Sequence, residues 1–278
     1  MDRPKWLLNI SSDEYHAATK RNEYTTSHRL NLFRKCPALY RKHITGEIVE
    51  GDTEAFVLGR AVHTLVLEGD KKFDGEYIVS DGPVNPKTEK PYGKATKAYQ
   101  EWAAEQPKPV ISPEDFALMA KIREAVHAHP VAADIFSAGF AEGTIRTEWS
   151  GEPVQCRMDW FDPDRSILVD FKTCEDVDKL KFAIRDFGYV TQLAFYKKCL
   201  EIVGYERAKK LKGYLIAVEK KEPFRVAVVE ISPYTLDEGN TAYPGAIYGT
   251  GNETLFDELK ECHAKNVWPT RYEEPIRI

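Results

Sequence analysis

The sequence predicts a mixed α/β or α+β fold, in which a central sheet is flanked by helices and preceded by a helical N-terminal part. Three observations carry this expectation. Strand-like runs gather in the middle of the chain, at 144 to 149, 154 to 160 and 167 to 171, and again at 212 to 219 and 224 to 231. Helical patterning fills the N-terminal part, recurs near the C-terminus, and occupies 175 to 186 and 189 to 203, between the two groups of strands. Ser150-Gly151 and Asp162-Pro163-Asp164 stand between the first three runs as turn signals, so those runs form a meander.

Taken in order, residues 27 to 45 form a helix capped by Thr26 or Ser27, kinked at Pro37 and stopped near Gly46. A second helix covers about 54 to 68, where Leu58, Val62, Leu65 and Val66 repeat at helical spacing and His63 lies beside them. From 81 to 109, Pro83, Pro86, Pro91 and Pro107 alternate with Lys87, Lys90, Lys94 and Lys97, a composition that suits a mobile basic loop, at least in its first half. A helix then opens with Ser112 as N-cap and Pro113 in its first turn, turns Phe116, Met119, Ile122 and Val126 inward, and ends at His129-Pro130. Beyond the strands, Gly239, Pro244, Gly245, Gly249 and Gly251 mark 239 to 252 as a loop before a helix at about 253 to 265.

The 278 residues, with 42% hydrophobic content, supply one substantial core, and no composition shift divides them. The expectation is a single domain over 1–278: a helical part to about 140, a sheet core at about 141–232 and a helical part from about 233. Nothing in the first thirty residues has signal-peptide character, and the apolar runs are strand-sized, so a cytoplasmic protein without membrane spans is expected. Five scattered cysteines with no C-x-x-C pair exclude a tightly spaced zinc or cluster motif. The net charge of −5 gives no general affinity for nucleic acid; contact with it requires local basic patches such as Arg34-Lys35, Lys87 to Lys97 or Lys197-Lys198. Trp149, Trp160 and Phe171 are either core residues or stacking platforms.

Chemistry concentrates in the segment R-M-D-W-F-D-P-D-R-S-I-L-V-D-F-K-T at 157 to 173. A hairpin across Pro163-Asp164 sets Asp159 and Asp170 on neighbouring strands, where both can face the same side and share a divalent cation. Strand alternation sends Lys172 to that side as well, and the Phe171 carbonyl between them is a further oxygen donor. D-x-K alone is commonly a solvated strand end. Here Asp170 closes the apolar run Ile167-Leu168-Val169, and a buried strand does not carry an unpartnered charge. Cleavage of a phosphodiester needs this set of groups: carboxylates to hold Mg²⁺, and a lysine to orient or deprotonate water or to offset phosphate charge. Glu148 is an additional carboxylate or a strand-edge charge.

R-M-D, ten residues, D-F-K-T, then Q-L-A-F-Y, with L-G-R-A-V-H far upstream, resembles the RecE (exonuclease VIII) group of PD-(D/E)xK nucleases. The similarity extends through S-S-D-E-Y-H, P-A-L-Y at 37 to 40 and W-P at 268 and 269. The resemblance implies a restriction-endonuclease-like core with catalytic Asp159, Asp170 and Lys172, and with His63, Asp159 and Asp170 at the metals, where the Phe171 carbonyl between Asp170 and Lys172 is the further ligand expected from its position. It places Gln192 and Tyr196, four residues apart on one helix face, at the substrate. It also implies two Mg²⁺ ions, with Mn²⁺ as substitute. An iron-sulfur variant of RecB-like nucleases needs a closely spaced cysteine group that Cys262 lacks, so no iron-sulfur cluster is expected.

The activity implied is resection of linear double-stranded DNA from the 5′ end, leaving a 3′ single strand for an annealing protein of the RecT type, by a ring-shaped homo-oligomer. The rival readings are an endonuclease or CRISPR-adaptation-like processing nuclease, and a non-catalytic DNA-binding protein retaining the fold. The G-x-x-x-x-G-K-[ST] signature of a helicase motor does not occur.

Overall fold

The computed structural model describes residues 2–49, 51, 53–240, 251–271 and 273. In chain order the elements begin with helices α1 (Ser12–Lys20), α2 (Ser27–Lys35), α3 (Pro37–Ile44) and α4 (Glu54–His63), which runs into a π-helical turn (Thr64–Glu68) before α5 (Asp70–Glu76). Short strands β1 (Ile78–Val79), β2 (Val84–Asn85) and β3 (Lys90–Pro91) follow, then α6 (Lys97–Ala104), β4 (Val110–Ile111), α7 (Pro113–Ala128) and α8 (Pro130–Ile135). The central strands are β5 (Phe140–Trp149), β6 (Glu152–Asp162) and β7 (Ile167–Cys174); after a 3₁₀ turn come α9 (Leu180–Asp186) and α10 (Tyr189–Ile202), then β8 (Lys212–Glu219) and β9 (Val226–Ile231). Helices α11 (Pro233–Glu238) and α12 (Asn252–Lys265) close the described chain.

The five central strands form one mixed sheet in sequence order, antiparallel except for the parallel β7–β8 pair. A parallel neighbour requires a crossover, and α9 and α10 supply it. Helices cover both faces. On one, Phe33, Tyr40, Leu193, Phe195 and Phe256 meet Ile145, Cys156, Met158 and Leu168; on the other, Val62, Leu65, Met119 and Ile122 meet Val169, Phe171, Ile216 and Val218. The alternation of Leu168 with Val169 and Phe171 along β7 is the period of two that lets a strand serve both layers.

Three expectations change. The helix expected across 27 to 45 is divided rather than kinked. Cys36 adopts an extended backbone (φ −162°, ψ 103°), and its thiol caps α3, whose first residue is Pro37. The α region is disfavoured for the residue before proline, so a break is the cheaper solution. Second, the helix at 54 to 68 changes to π geometry after His63. Third, the segment from 81 to 109 is not a loop throughout: it holds the β2–β3 hairpin and α6, capped by Thr96, and Lys94 pairs with Asp115 on α7 at 2.5 Å. Most of the loop expected at 239 to 252 lies outside the described residues.

The basic patches and aromatic candidates also divide. Lys197 is buried between Glu201 and Asp237, and Arg34 bonds to Thr191 and Asn252 at 2.9 and 3.0 Å, so both act inside the fold. Trp149, Trp160 and Phe171 are core residues. Among the described residues no helix is long and apolar enough to cross a membrane.

Candidate active site

The site begins with the turn between β6 and β7. Buried Asp162 accepts from the amides of Asp164 and Arg165 at 2.9 and 3.0 Å, and Tyr205 bonds Pro163 and Ser166 at 2.7 and 2.9 Å. This fixes the register, with Asp162 opposite Ile167 and Trp160 opposite Val169. One rung further Asp159 would face Asp170, but pairing stops there, while β7 continues beside β8 to Cys174. A side chain takes the place of the departing backbone: Asp159 Oδ2 accepts from the Phe171 amide at 2.7 Å.

The β5–β6 hairpin is irregular at the same rung. Met158 and Ile145 point to the face covered by α10, yet so does Phe161, while Trp160 and Ala141 point to the other. Both strands therefore shift their in/out phase between 141 and 143 and between 158 and 160, where Glu142 takes a left-handed backbone (φ 52°). Paired phase changes re-aim the two side chains at that rung. Glu142 and Asp159 thereby converge on His63, at the end of α4: His63 Nδ1 lies 3.6 Å from Asp159 Oδ1 and 3.9 Å from Glu142 Oε1. The His63 ring packs edge-on against Phe171, centroids 5.2 Å apart, and Arg157 pairs with Glu142 from the same strand as Asp159.

The second half of the site stands on β7 and α10. Lys172 Nζ donates to Asp170 Oδ1 at 2.6 Å, and Gln192 Nε2 donates to the same oxygen at 3.0 Å. The Tyr196 hydroxyl accepts from Gln192 Nε2 at 2.8 Å. Asp170 is 0% exposed, and its Oδ2 has no hydrogen-bond partner among the described residues. Leaving a buried carboxylate oxygen unsatisfied costs about 1–3 kcal/mol or more, so the arrangement fits a group that binds there.

Burial pushes the Asp170 carboxyl up, Lys172 pulls it back and Asp159 adds to the rise, leaving it at about 6. Burial opposes the charge on Lys172, but Asp170 and Asp159 outweigh it and raise the ammonium above its usual range. Asp159 thus acts on both members of the pair, against the carboxylate and for the ammonium. For His63, burial lowers and Asp159 and Glu142 raise, with a net rise.

Ligand atoms of His63, Glu142 and Asp159 lie within 4.8 Å of one another. One imidazole and two carboxylates, beside the orphaned Asp170 oxygen, are a donor set suited to a divalent cation. Structure and sequence differ at two residues, Glu148 and Tyr196. Glu148 is paired with Pro153 at the opposite end of the hairpin, six residues and about 20 Å along the strand from Glu142, so the nearby strand carboxylate is Glu142. Tyr196 is only 6% exposed and stands behind Gln192 rather than at an open surface. For Phe171, the described contact is made by its amide. Glu142 had no sequence signal, because E-G preceding a strand reads as a turn and the phase change that re-aims it leaves no mark on composition.

A mixed sheet wrapped by helices, with two aspartates where paired strands part and a lysine two residues beyond the second, defines the PD-(D/E)xK nuclease superfamily. The chain belongs to the family described as PDDEXK-like domain of unknown function (DUF3799), whose model matches residues 27–275. Among solved structures, it is similar to a Eubacterium rectale protein described as a "putative exonuclease", with 15% identity, coverage of 98% of this chain and 96% of that one, and a TM-score of 0.66. That likeness is one of fold. A second structure, SSO0001, covers 59% of this chain and 61% of its own at 17% identity, with a TM-score of 0.30 too low to bear on the fold. No curated protein matches.

Proposed function

We propose that this chain is a metal-dependent exodeoxyribonuclease that hydrolyses linear duplex DNA from the 5′ end and leaves a 3′ single strand. The observation that carries the reading is the buried, half-satisfied Asp170, bonded to Lys172 at 2.6 Å beside the His63, Glu142 and Asp159 group. The exonuclease rather than endonuclease character rests on the sequence resemblance to the RecE group, and the description of the Eubacterium rectale neighbour agrees with it.

In this reading Asp159 and Asp170, with His63, Glu142 and the Phe171 carbonyl, hold divalent cations, two Mg²⁺ with Mn²⁺ as substitute. Such ions supply charge stabilisation at the phosphate and a more acidic attacking water. Lys172, held in place by Asp170, orients that water or offsets charge on the phosphate. Gln192 keeps Asp170 turned toward the site, and Tyr196 sets Gln192. A ring of copies in the cytoplasm, handing its product to a single-strand annealing protein of the RecT type, completes the proposal.

The test is release of acid-soluble nucleotides from linear duplex DNA with 5′-phosphate ends and from closed circular DNA, with Mg²⁺ or EDTA, for wild type and Lys172→Ala. Release from linear DNA alone, abolished by EDTA and by the substitution, is the expected result. Cutting of closed circles would establish an endonuclease; binding without cleavage would leave a DNA-binding protein that has kept the fold.

A further inference from the structure

We propose that Phe187 and Tyr189 form an aromatic ledge beside Lys172 on which a base of the DNA strand being cut stacks, positioning the neighbouring phosphate. The inference rests on the nuclease reading and adds a substrate-positioning surface to it. Tyr189 opens α10 on the same face as Gln192 and Tyr196, three and seven residues further on. Its ring lies under the Lys172 ammonium, 5.3 Å from Nζ to centroid. Phe187 continues outward, with ring centroids 5.8 Å apart and planes inclined by 32°, and is 59% exposed.

An exposed phenylalanine is ordinary on a mobile loop, but this one is presented by a clamped turn. Asn31 donates to the Phe187 carbonyl at 3.3 Å, and Thr191 Oγ1 donates to the Gly188 carbonyl at 2.8 Å. Gly188 has φ +69°, and a Cβ there would come within 2.9 Å of Asn31 and 3.0 Å of Thr191. These two hydrogen bonds and the left-handed glycine hold the turn that presents Phe187. Just upstream, α9 presents Phe182, also exposed, with the Lys181 ammonium 5.0 Å above its ring.

At Tyr189 with Lys172, and again at Phe182 with Lys181, an aromatic face is paired with an ammonium group, a combination that suits the bases and phosphates of a single strand. Each stacked base is worth about 1–3 kcal/mol and tolerates any sequence. A resecting enzyme has to grip a strand without reading it, and a stacking surface satisfies that requirement where hydrogen bonds to base edges would not.

The experiment is steady-state digestion, with Mg²⁺, of linear duplexes that are intact or carry one abasic residue at each of the first four positions from the cut end. For the wild type, an abasic residue at one position should raise KM about tenfold. In Phe187→Ala the intact duplex should show that raised KM, and sensitivity to the abasic position should vanish; Phe187→Tyr should restore both. A Phe187→Ala protein that keeps the wild-type KM and abasic sensitivity overturns the ledge. So does one whose sedimentation changes while abasic sensitivity persists, since Phe187 would then be a contact between copies. A wild type that digests no DNA fails at the nuclease reading itself, which the intact duplex reports separately.

Discussion

Gln192 Nε2 donates to Asp170 Oδ1 at 3.0 Å, and Tyr196 stands directly behind it. The amide thus serves as a neutral second donor to a carboxylate that already holds Lys172. Without it, Lys172 is the one remaining side-chain donor to Asp170 among the described residues, and the direction of Oδ2 is less firmly set. Gln192→Ala should lower activity about 10–100-fold, the usual effect of losing a group that orients a metal ligand. The thermal midpoint should barely change. Activity within twofold of wild type would remove Gln192 from the site.

Glu142 brings a second carboxylate to His63 and Asp159. If it binds the cation, Glu142→Gln should weaken Mn²⁺ binding measured by calorimetry by about tenfold or more. A cation that binds only the folded chain stabilises it by about 2.7 kcal/mol at a hundred times its dissociation constant. Mn²⁺ should therefore raise the melting temperature of the wild type more than that of Glu142→Gln at equal concentration. Equal shifts would show that Glu142 is bound to Arg157 alone.

How much of this was legible in the sequence depends on where the information lay. The strands, the crossover helices and the Asp159, Asp170 and Lys172 trio follow from local alternation and a turn whose chemistry is written in Asp162-Pro163-Asp164. The N-cap of α7 at Ser112 was equally readable, since its hydroxyl accepts from the Asp115 amide. Glu142 and the depth of Tyr196 were not. The first depends on a phase change shared by two strands, which only their pairing reveals. The second depends on what packs over α10, and Q-x-x-x-Y spacing fixes a helix face but not the layer above it. The break at Cys36 was half-legible: Pro37 announced a disturbance, but not that the thiol would cap a new helix.

Glu219 ends β8 with 1% exposure, gripped by Arg225 at 2.7 and 3.0 Å and by the Val177 amide at 3.1 Å. The Arg225 hydrogen bonds hold its carboxyl down to about 2, against the opposing effect of burial. An unfolded glutamate titrates near about 4.3. Between those values the unfolded chain binds a proton that the folded chain does not, so stability rises with pH across that window. The contribution is fully present above pH 4 to 5 and is lost as pH falls toward about 2. Acid unfolding of Glu219→Gln should show a shallower dependence below pH 4 than wild type. Parallel curves would mean that Glu219 titrates normally.

Gly139 precedes β5 with φ +135°, and a Cβ there would sit 2.5 Å from Trp160 Nε1 and 2.9 Å from the Phe161 carbonyl. Trp160 has little freedom to yield: its indole N–H donates to the Ala138 carbonyl at 3.0 Å, and its ring packs edge-on against Phe136, centroids 5.3 Å apart. Phe136 in turn meets Phe171 at 6.5 Å, and Phe171 meets His63 at 5.2 Å. Gly139→Ala therefore forces Trp160, the neighbour of Asp159, out of place. Overpacking of this kind costs about 1–3 kcal/mol, and the strained backbone adds to it. Urea denaturation should register that loss. Because the displaced ring is linked to both Asp159 and His63, Mn²⁺ affinity should fall as well, in a variant that changes no ligand. A stability loss of that size with unaltered Mn²⁺ affinity would show that the aromatic chain supports the sheet without setting the geometry of the site.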